Sequence, residues 1–464
     1  MKKIILALLL FLSGIVVCYA ADIILGSDVY FDNKNSNLSS TNVQDAIDEI
    51  NEKVLLTKSC SNNVEEPKLS DGLIPVTIKD DGTVVYADAS KKWYDYCNKI
   101  WANAVILEDG ASYNVGDTIK ESDIQSYFVW IPKYKYKLWN TGIASKNAHE
   151  IDIIFDTKDT TDIDGVSCKT PMASKESGNC ENGEYMTHPA FISMGVNGFW
   201  VGKFETGYKG ATSTKAAQVN SNDTSKVIIK PNVYSWRYLT LGNMFLASYN
   251  YKRDADSHMM KNTEWGAVTY LTHSKYGINR EININNNSSF KTGYSALPST
   301  NQHTNPGIYG DGSTYNNQYN TSIGYLASTT GNISGVYDMS GGSNEFVASY
   351  VNGYPSSSGL KPTEYDSKYF DAYVASSSID YTYRILGDAT GEMGPFNNYL
   401  DGNNVARHHG SWYSDAADFI RLANGYSWFQ RGGMYTTGGI SGMFCFLVTN
   451  GGAGTSSFRI VLAP

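Results

Sequence analysis

Short apolar stretches alternate with longer polar ones along most of this chain, and their spacing predicts a mixture of helices and strands. In SSTNVQDAIDEINEKV, Val43, Ala46, Ile47, Ile50 and Val54 recur at helical spacing. Thr41, followed three residues later by Gln44, gives that stretch a capping-box start. In LIPVTIKDDGTVVYADAS, alternation broken at Asp81-Gly82 predicts a hairpin. YFVWIPKYKYKLW, from Tyr127, is a strand-like aromatic run. NTEWGAVTYLTHSK predicts a helix with Asn262 as N-cap and Glu264 at the positive end of the helix dipole. Trp265, Val268 and Leu271 share one of its faces. A second helix is expected from Thr240 through Met244 and Ala247. Elsewhere short aromatic strands are punctuated by Gly, Asn and Ser, which together with the helices predicts an α+β fold with long loops. No repeat of fixed period is found.

The start of the chain reads differently. Lys2 and Lys3 precede an unbroken apolar run from Ile4 to Val17, and Cys18-Tyr19-Ala20 follows. That is the layout of a secretory signal peptide, and the run is shorter than the ~20 residues a spanning helix needs. Cys18 offers a lipid-anchored alternative, disfavoured because Val17 stands where a small residue is expected. Residues 1–20 are therefore read as the signal, and 21–60 as a leader carrying the short helix. Residues 61–145 are read as a small β-rich domain and 146–189 as a linker or insertion. Residues 190–464 form one large domain with an insertion at 348–430. No later apolar stretch is long enough to span a membrane, so an extracellular protein is expected. The leader helix resembles stretches near the stalks of phage-fibre and surface proteins. Either it associates with other copies through residues 41–55, or it docks on its own domain, since it is too short to be stable alone.

Charge narrows the partners. Losing Lys2 and Lys3 takes the formal charge from -9 to -11, which argues against nucleic acid, whose phosphates need a basic stripe. A hydrophobic content of 41% with 34 Tyr and 9 Trp is ample for packed cores. Trp93, Trp101, Trp130 and Trp139 read as core in preference to a ligand cleft. Of six cysteines, one lies in the signal. In an oxidising compartment Cys60 with Cys97 and Cys168 with Cys180 read as two disulfides, and Cys445, inside MFCFLV, as a buried free thiol. Zinc is disfavoured because no second CxxC or histidine pair completes four ligands.

Several strings then occur in a fixed order: GFWVGKFETG from Gly198, VYSWRYLT from Val233, HMMKNTEWGAVTYL from His258, GVYDMSGGSNEFV from Gly335, RGG at Arg431 and SFRIVL from Ser457. Together they resemble the formylglycine-generating-enzyme, or sulfatase-modifying-factor, family over roughly residues 190–464. The resemblance implies a C-type-lectin-like fold with little regular structure. Its oxidase chemistry needs two cysteines after RGG, because soft thiolates select Cu(I). Those positions are here Thr437 and Gly442. The histidine face of the iron-dependent relatives is also missing, since His258, His273, His303, His408 and His409 are scattered. The resemblance further implies calcium held near Gly342-Ser343-Asn344-Glu345, with the amide ligand replaced by Gly342. YGDGSTYNNQYN, from Tyr309, is oxygen-rich but reads as a solvated loop.

Glu345, Arg431 and Arg459 are expected to be structural, the arginines holding buried carbonyls or carboxylates. No catalytic residue and no obligate cofactor is assigned. The leading expectation is a non-catalytic binding protein for a glycan, peptide or protein. Candidate contacts are Trp412, Tyr413, Trp428, Tyr435, Thr437 and Asn450. One alternative is a retroelement-diversified receptor, whose target proteins also end in a lectin-like domain. Another is an oxidoreductase of a different kind on the same scaffold.

Overall fold

A computed structural model describes residues 30–31, 40–49, 60, 63–137, 150–155, 185–296, 317–351, 356–373, 409–410, 413, 415–417 and 427–464. The signal segment, Trp139, Cys168, Cys180, His303, His408, Trp412 and most of the Tyr309 loop lie outside these residues. The chain divides into two compact units, Met1–Ser61 and Asn62–Pro464.

In the first unit, residues 43–49 are helical. The cap is Asn42, not Thr41: Asn42 Oδ1 accepts from the Asp45 N–H at 2.8 Å. A side-chain amide oxygen competes as well as a hydroxyl for that orphan donor. Ala46 is buried and Ile47 exposed.

The second unit contains both helices and sheets. Its first sheet starts with β1 (Leu73–Ile78), β2 (Val84–Tyr86), β3 (Asn103–Leu107), β4 (Thr118–Ile119) and β5 (Ile124–Pro132), and goes on with β6 (Gly198–Gly202) and β7 (His258–Met259). The second sheet follows with β8 (Glu345–Val351), β9 (Asp371–Tyr373), β10 (His409–Gly410), β11 (Ala416–Ala417), β12 (Trp428–Gly432), β13 (Gly442–Thr449) and β14 (Ser457–Phe458). One residue later the chain re-enters the first sheet as β15 (Ile460–Leu462). The orders are β7-β15-β6-β5-β3-β1-β2-β4 and β9-β8-β12-β13-β11-β10, with β14 beside β8. The first sheet is antiparallel throughout.

The β1–β2 hairpin turns at Asp81-Gly82 as its pattern requires, and pairs Ile78 with Val84. From Tyr127 to Pro132 strand β5 is apolar and buried on both faces, and it runs between β3 and β6. Strands of the segment read as a separate small β domain therefore share one sheet with strands from the large C-terminal segment. Trp101 and Trp130 are core. Cys60 and Cys97 are disulfide-bonded, which is compatible with an extracellular protein, and Cys445 is a buried free thiol.

Three helices are α1 (Pro189–Met194), α2 (Leu241–Tyr249) and α3 (Asn262–Thr272). Helix α2 is capped by the Thr240 side chain, which accepts from the Asn243 N–H. Every residue of α3 is buried, not one face alone. Its cap differs from expectation. Lys261 holds the N-cap position, and its N–H donates to Glu264 Oε2 at 2.8 Å. The first helical N–H groups, of Asn262 and Thr263, donate to Ser349 Oγ in β8 and Asp371 Oδ2 in β9, both at 2.8 Å. Neighbouring strands thus supply the acceptors that a surface helix takes from its own cap. The Asn262 side chain is released from capping, and its Oδ1 accepts from Arg431 Nη1 at 2.6 Å.

Arg459, between β14 and β15, is where the two sheets join. Fully buried, it binds both oxygens of Glu345 in β8. It also donates to the Gly202 carbonyl in β6 at 2.7 Å and to the Tyr337 carbonyl at 3.0 Å. Replacing it strands a buried carboxylate, and breaking such a pair costs about 3–5 kcal/mol. Arg459→Ala is expected to lower the urea midpoint by the equivalent amount, measured by tryptophan fluorescence. A loss below about 1 kcal/mol would mean that the joint carries little of the stability.

Candidate functional site

Beside that joint lies a second buried carboxyl, Glu205, three residues beyond β6. Its Oε1 accepts from the Ser343 N–H at 2.8 Å, and Oε2 accepts from the Ser235 hydroxyl. Asp338 lies next to it, accepting from Asn285 Nδ2 and the Gly293 N–H, both at 2.8 Å. Burial, then repulsion from Glu345 and Asp338, raises the Glu205 carboxyl well above its ordinary 4.5. Gly342 is dictated by this packing. At φ 64° it approaches so closely that a β-carbon would sit 2.3 Å from Glu205 Oε1. Of the stretch Gly342–Glu345, where calcium is implied, both Glu345 oxygens accept from Arg459, while Ser343 Oγ and Asn344 Oδ1 are buried without a hydrogen-bond partner.

Above Glu205 the chain builds an aromatic patch. Tyr435 is half-buried, its N–H donates to the Gly342 carbonyl at 3.0 Å, and its ring meets Phe290 edge-on at 4.8 Å. The Arg237 guanidinium stacks over the same Phe290 ring, 3.7 Å from its centroid. Arg237 Nη2 also donates to the Thr214 carbonyl at 3.0 Å. Burial lowers the guanidinium value, opposed by the charge of Glu205 and the phenols of Tyr238 and Tyr435. Tyr238 is 40% exposed. Phe290 and Tyr238 both adopt positive φ, 55° and 65°. For bulky residues that conformation costs of order 1–3 kcal/mol and collects at ligand sites.

The other expected contacts fall in different places. Trp428 is fully buried in β12 with its ring 5.1 Å from Tyr350, so it is core and not a contact surface. The chain at Gly451 packs against the indole, where a β-carbon would lie 2.9 Å from Trp428 Cδ1. Tyr413 stacks toward His273 and Phe444 at 5.6 and 6.4 Å. The Thr437 hydroxyl is spent inside its own turn, donating to the Met434 carbonyl at 2.7 Å and accepting from the Met434 N–H at 2.9 Å. Asn450 is exposed and its Oδ1 accepts from the Gly452 N–H at 3.0 Å. Arg431 donates to the Cys445 and Met443 carbonyls at 2.8 and 3.1 Å.

Sequence reasoning missed Arg237, Tyr238 and Phe290. Arg237 and Tyr238 sit inside the string VYSWRYLT, which is legible as a motif while the exposure of its second tyrosine is not. Phe290 ends the asparagine-rich INNNSSF and carries no periodic signal.

The second cysteine position of the oxidase pattern is filled from outside. A β-carbon on Gly442 would lie 2.0 Å from the buried Asp415 Oδ2, an oxygen that accepts from the Phe444 N–H at 2.9 Å. Burial, then the charge of Asp415, pushes the Cys445 thiol far up, the opposite of an activated thiolate. Among the described residues no group of three or more His, Cys, Asp or Glu could hold a metal. Comparison with protein-family models and with curated proteins finds no match for this chain.

A carboxyl raised on folding takes up a proton between its ordinary value and the raised one. Stability therefore falls as pH climbs from 4.5, because the native state then binds more protons than the unfolded one. Glu205→Gln keeps the acceptor for Ser343 and cannot ionise. Its melting temperature is expected to decline less than the wild type's between pH 5 and 8. Parallel declines in thermal melts would show that Glu205 stays ionised.

Proposed function

We propose that this chain is a secreted, non-catalytic ligand-binding protein on a sulfatase-modifying-factor-type, C-type-lectin-like scaffold. Its binding face is centred on Tyr435, Phe290 and Tyr238, with Arg237 beneath. The observation that carries the reading is the pair of partly exposed aromatic residues held at positive φ over a buried, stacked arginine. Strain of this kind persists where the surroundings over-determine it, and rigid aromatics lose little entropy when a ligand orders them.

The scaffold assignment draws support from where five of the six strings meet. Those beginning at Gly198, Gly335 and Ser457 share the Arg459 joint, and those at His258 and Arg431 share the Asn262–Arg431 contact. The non-catalytic reading draws support from Thr437, closed in its turn, and from Gly442, closed by Asp415. Secretion rests on the leader sequence and is compatible with the Cys60–Cys97 bridge. Among the described residues no helix is long and apolar enough to cross a membrane. N-terminal sequencing of exported material should start near Ala21 or Asp22; a chain retained with a lipidated Cys18 would overturn secretion in soluble form.

The binding reading is tested with a glycan array and a phage-displayed peptide library, probed with wild type and Tyr435→Ala. The variant retains the backbone bond to Gly342, so its melting temperature is expected to stay within about 2 °C. As an interface anchor, Tyr435 should cost upwards of ~2 kcal/mol of affinity when truncated, roughly a thirty-fold loss. Equal binding by both proteins would remove Tyr435 from the site. Turnover of a sulfatase-motif cysteine peptide above a copper-only blank, read by mass spectrometry, would overturn the non-catalytic reading. Writing the cysteines back, as Thr437→Cys with Gly442→Cys, is expected to lower stability by about 1–3 kcal/mol through overpacking against Asp415.

A further inference from the structure

A separate cleft of about 620 Å³ opens between residues 63–68 and the turn at 195–198, with Trp130 in its lining. That volume falls within the ~300–1,000 Å³ of pockets that enclose small ligands. Its wall is pinned to the first sheet at two points. Trp130 Nε1–H donates to the Glu65 carbonyl at 3.1 Å, and Trp200 Nε1–H donates to the Lys68 carbonyl at 2.7 Å. The two indoles, on paired strands β5 and β6, lie 5.2 Å apart. Gly198 keeps the lining in place, because a β-carbon there would strike Trp130 Cζ2 at 2.2 Å. The cleft is therefore built before any ligand arrives, which lowers the entropy cost of binding.

Its charges decide the ligand class. Glu65, Glu66, Lys68 and Lys92 are all in its lining, so the formal charges around it cancel. With the charges balanced, neither an anion nor a cation gains from the net charge of the lining. Hydroxyl groups donate to the carboxylates and accept from the ammonium groups, and the Asn197 amide does both.

We propose that this cleft is a binding site for a short neutral carbohydrate, distinct from the Tyr435 patch. The test is saturation-transfer NMR on the full chain with maltotriose, cellobiose and N,N′-diacetylchitobiose, alongside triglycine, inorganic phosphate and calcium. At least one saccharide is expected to bind the wild type with a millimolar Kd. The Glu66→Ala/Lys68→Ala double variant changes two exposed side chains, should melt normally, and is expected to bind at least ten-fold more weakly. Tyr435→Ala should leave this binding unchanged. The proposal is overturned if no saccharide binds, if the double variant binds as well as wild type, or if triglycine, phosphate or calcium binds in place of the sugars. It is equally overturned if Tyr435→Ala abolishes the signal, since the sugar would then occupy the other face.

Discussion

The contact between Arg459 and Glu345 is the constraint on which the large unit depends. It falls in the single residue that separates a strand of one sheet from a strand of the other. There the guanidinium spends its planar fork on Glu345 and its remaining donors on carbonyls from β6 and the Tyr337 loop. A lysine, with a point charge and three rotating donors, does not reproduce that geometry. A buried ion pair contributes less net stability than its Coulomb energy suggests, because both charges lose water. What it supplies here is position: β8, β6 and β15 are fixed relative to one another.

Around this joint the interior is unusually polar, and most of its groups find partners through geometry instead of charge. Lys203 is fully buried, yet its ammonium donates to the Asn103 side chain and the Ile333 and Gly335 carbonyls at 2.9, 2.7 and 2.8 Å. Asn285 ties the Lys291 carbonyl to Asp338. Such groups let irregular loops be buried, since each otherwise orphaned carbonyl or N–H receives a side-chain partner. Glu205 belongs to this interior and also lies under the aromatic patch, so the surface rests on a base with little freedom.

At two positions within the motifs a buried carboxyl fills the space beside a glycine. Gly342 and Gly442 each lack a β-carbon where a buried carboxyl oxygen occupies the space, from Glu205 in one case and Asp415 in the other. The positions at which a calcium amide and a copper thiolate would be expected are thus filled by the protein's own acids. Restoring ligands at those positions would require the acids to move first, and both are held by backbone N–H groups.

The sequence by itself determined the local elements with strong pattern or turn chemistry. The Asp81-Gly82 hairpin, the helix that begins at Thr240 and the helix around Trp265 follow from spacing and turn residues. It also singled out Arg431, Arg459 and Tyr435, because an arginine beside paired glycines or apolar strands has few acceptors except internal ones. Tertiary structure decided what pattern does not encode. Asn262 reads as a cap from local sequence, but Ser349 and Asp371 supply the helix's acceptors and release it to Arg431. Trp428 reads as a contact residue, yet Tyr350 and the chain at Gly451 pack against it and it is fully buried. Phe290, Arg237 and Tyr238 become one patch only when loops distant in sequence cross over Glu205. A periodicity reports which face of a single element is covered; which neighbour covers it, and which distant side chain satisfies each polar group, is settled by contacts between elements far apart along the chain.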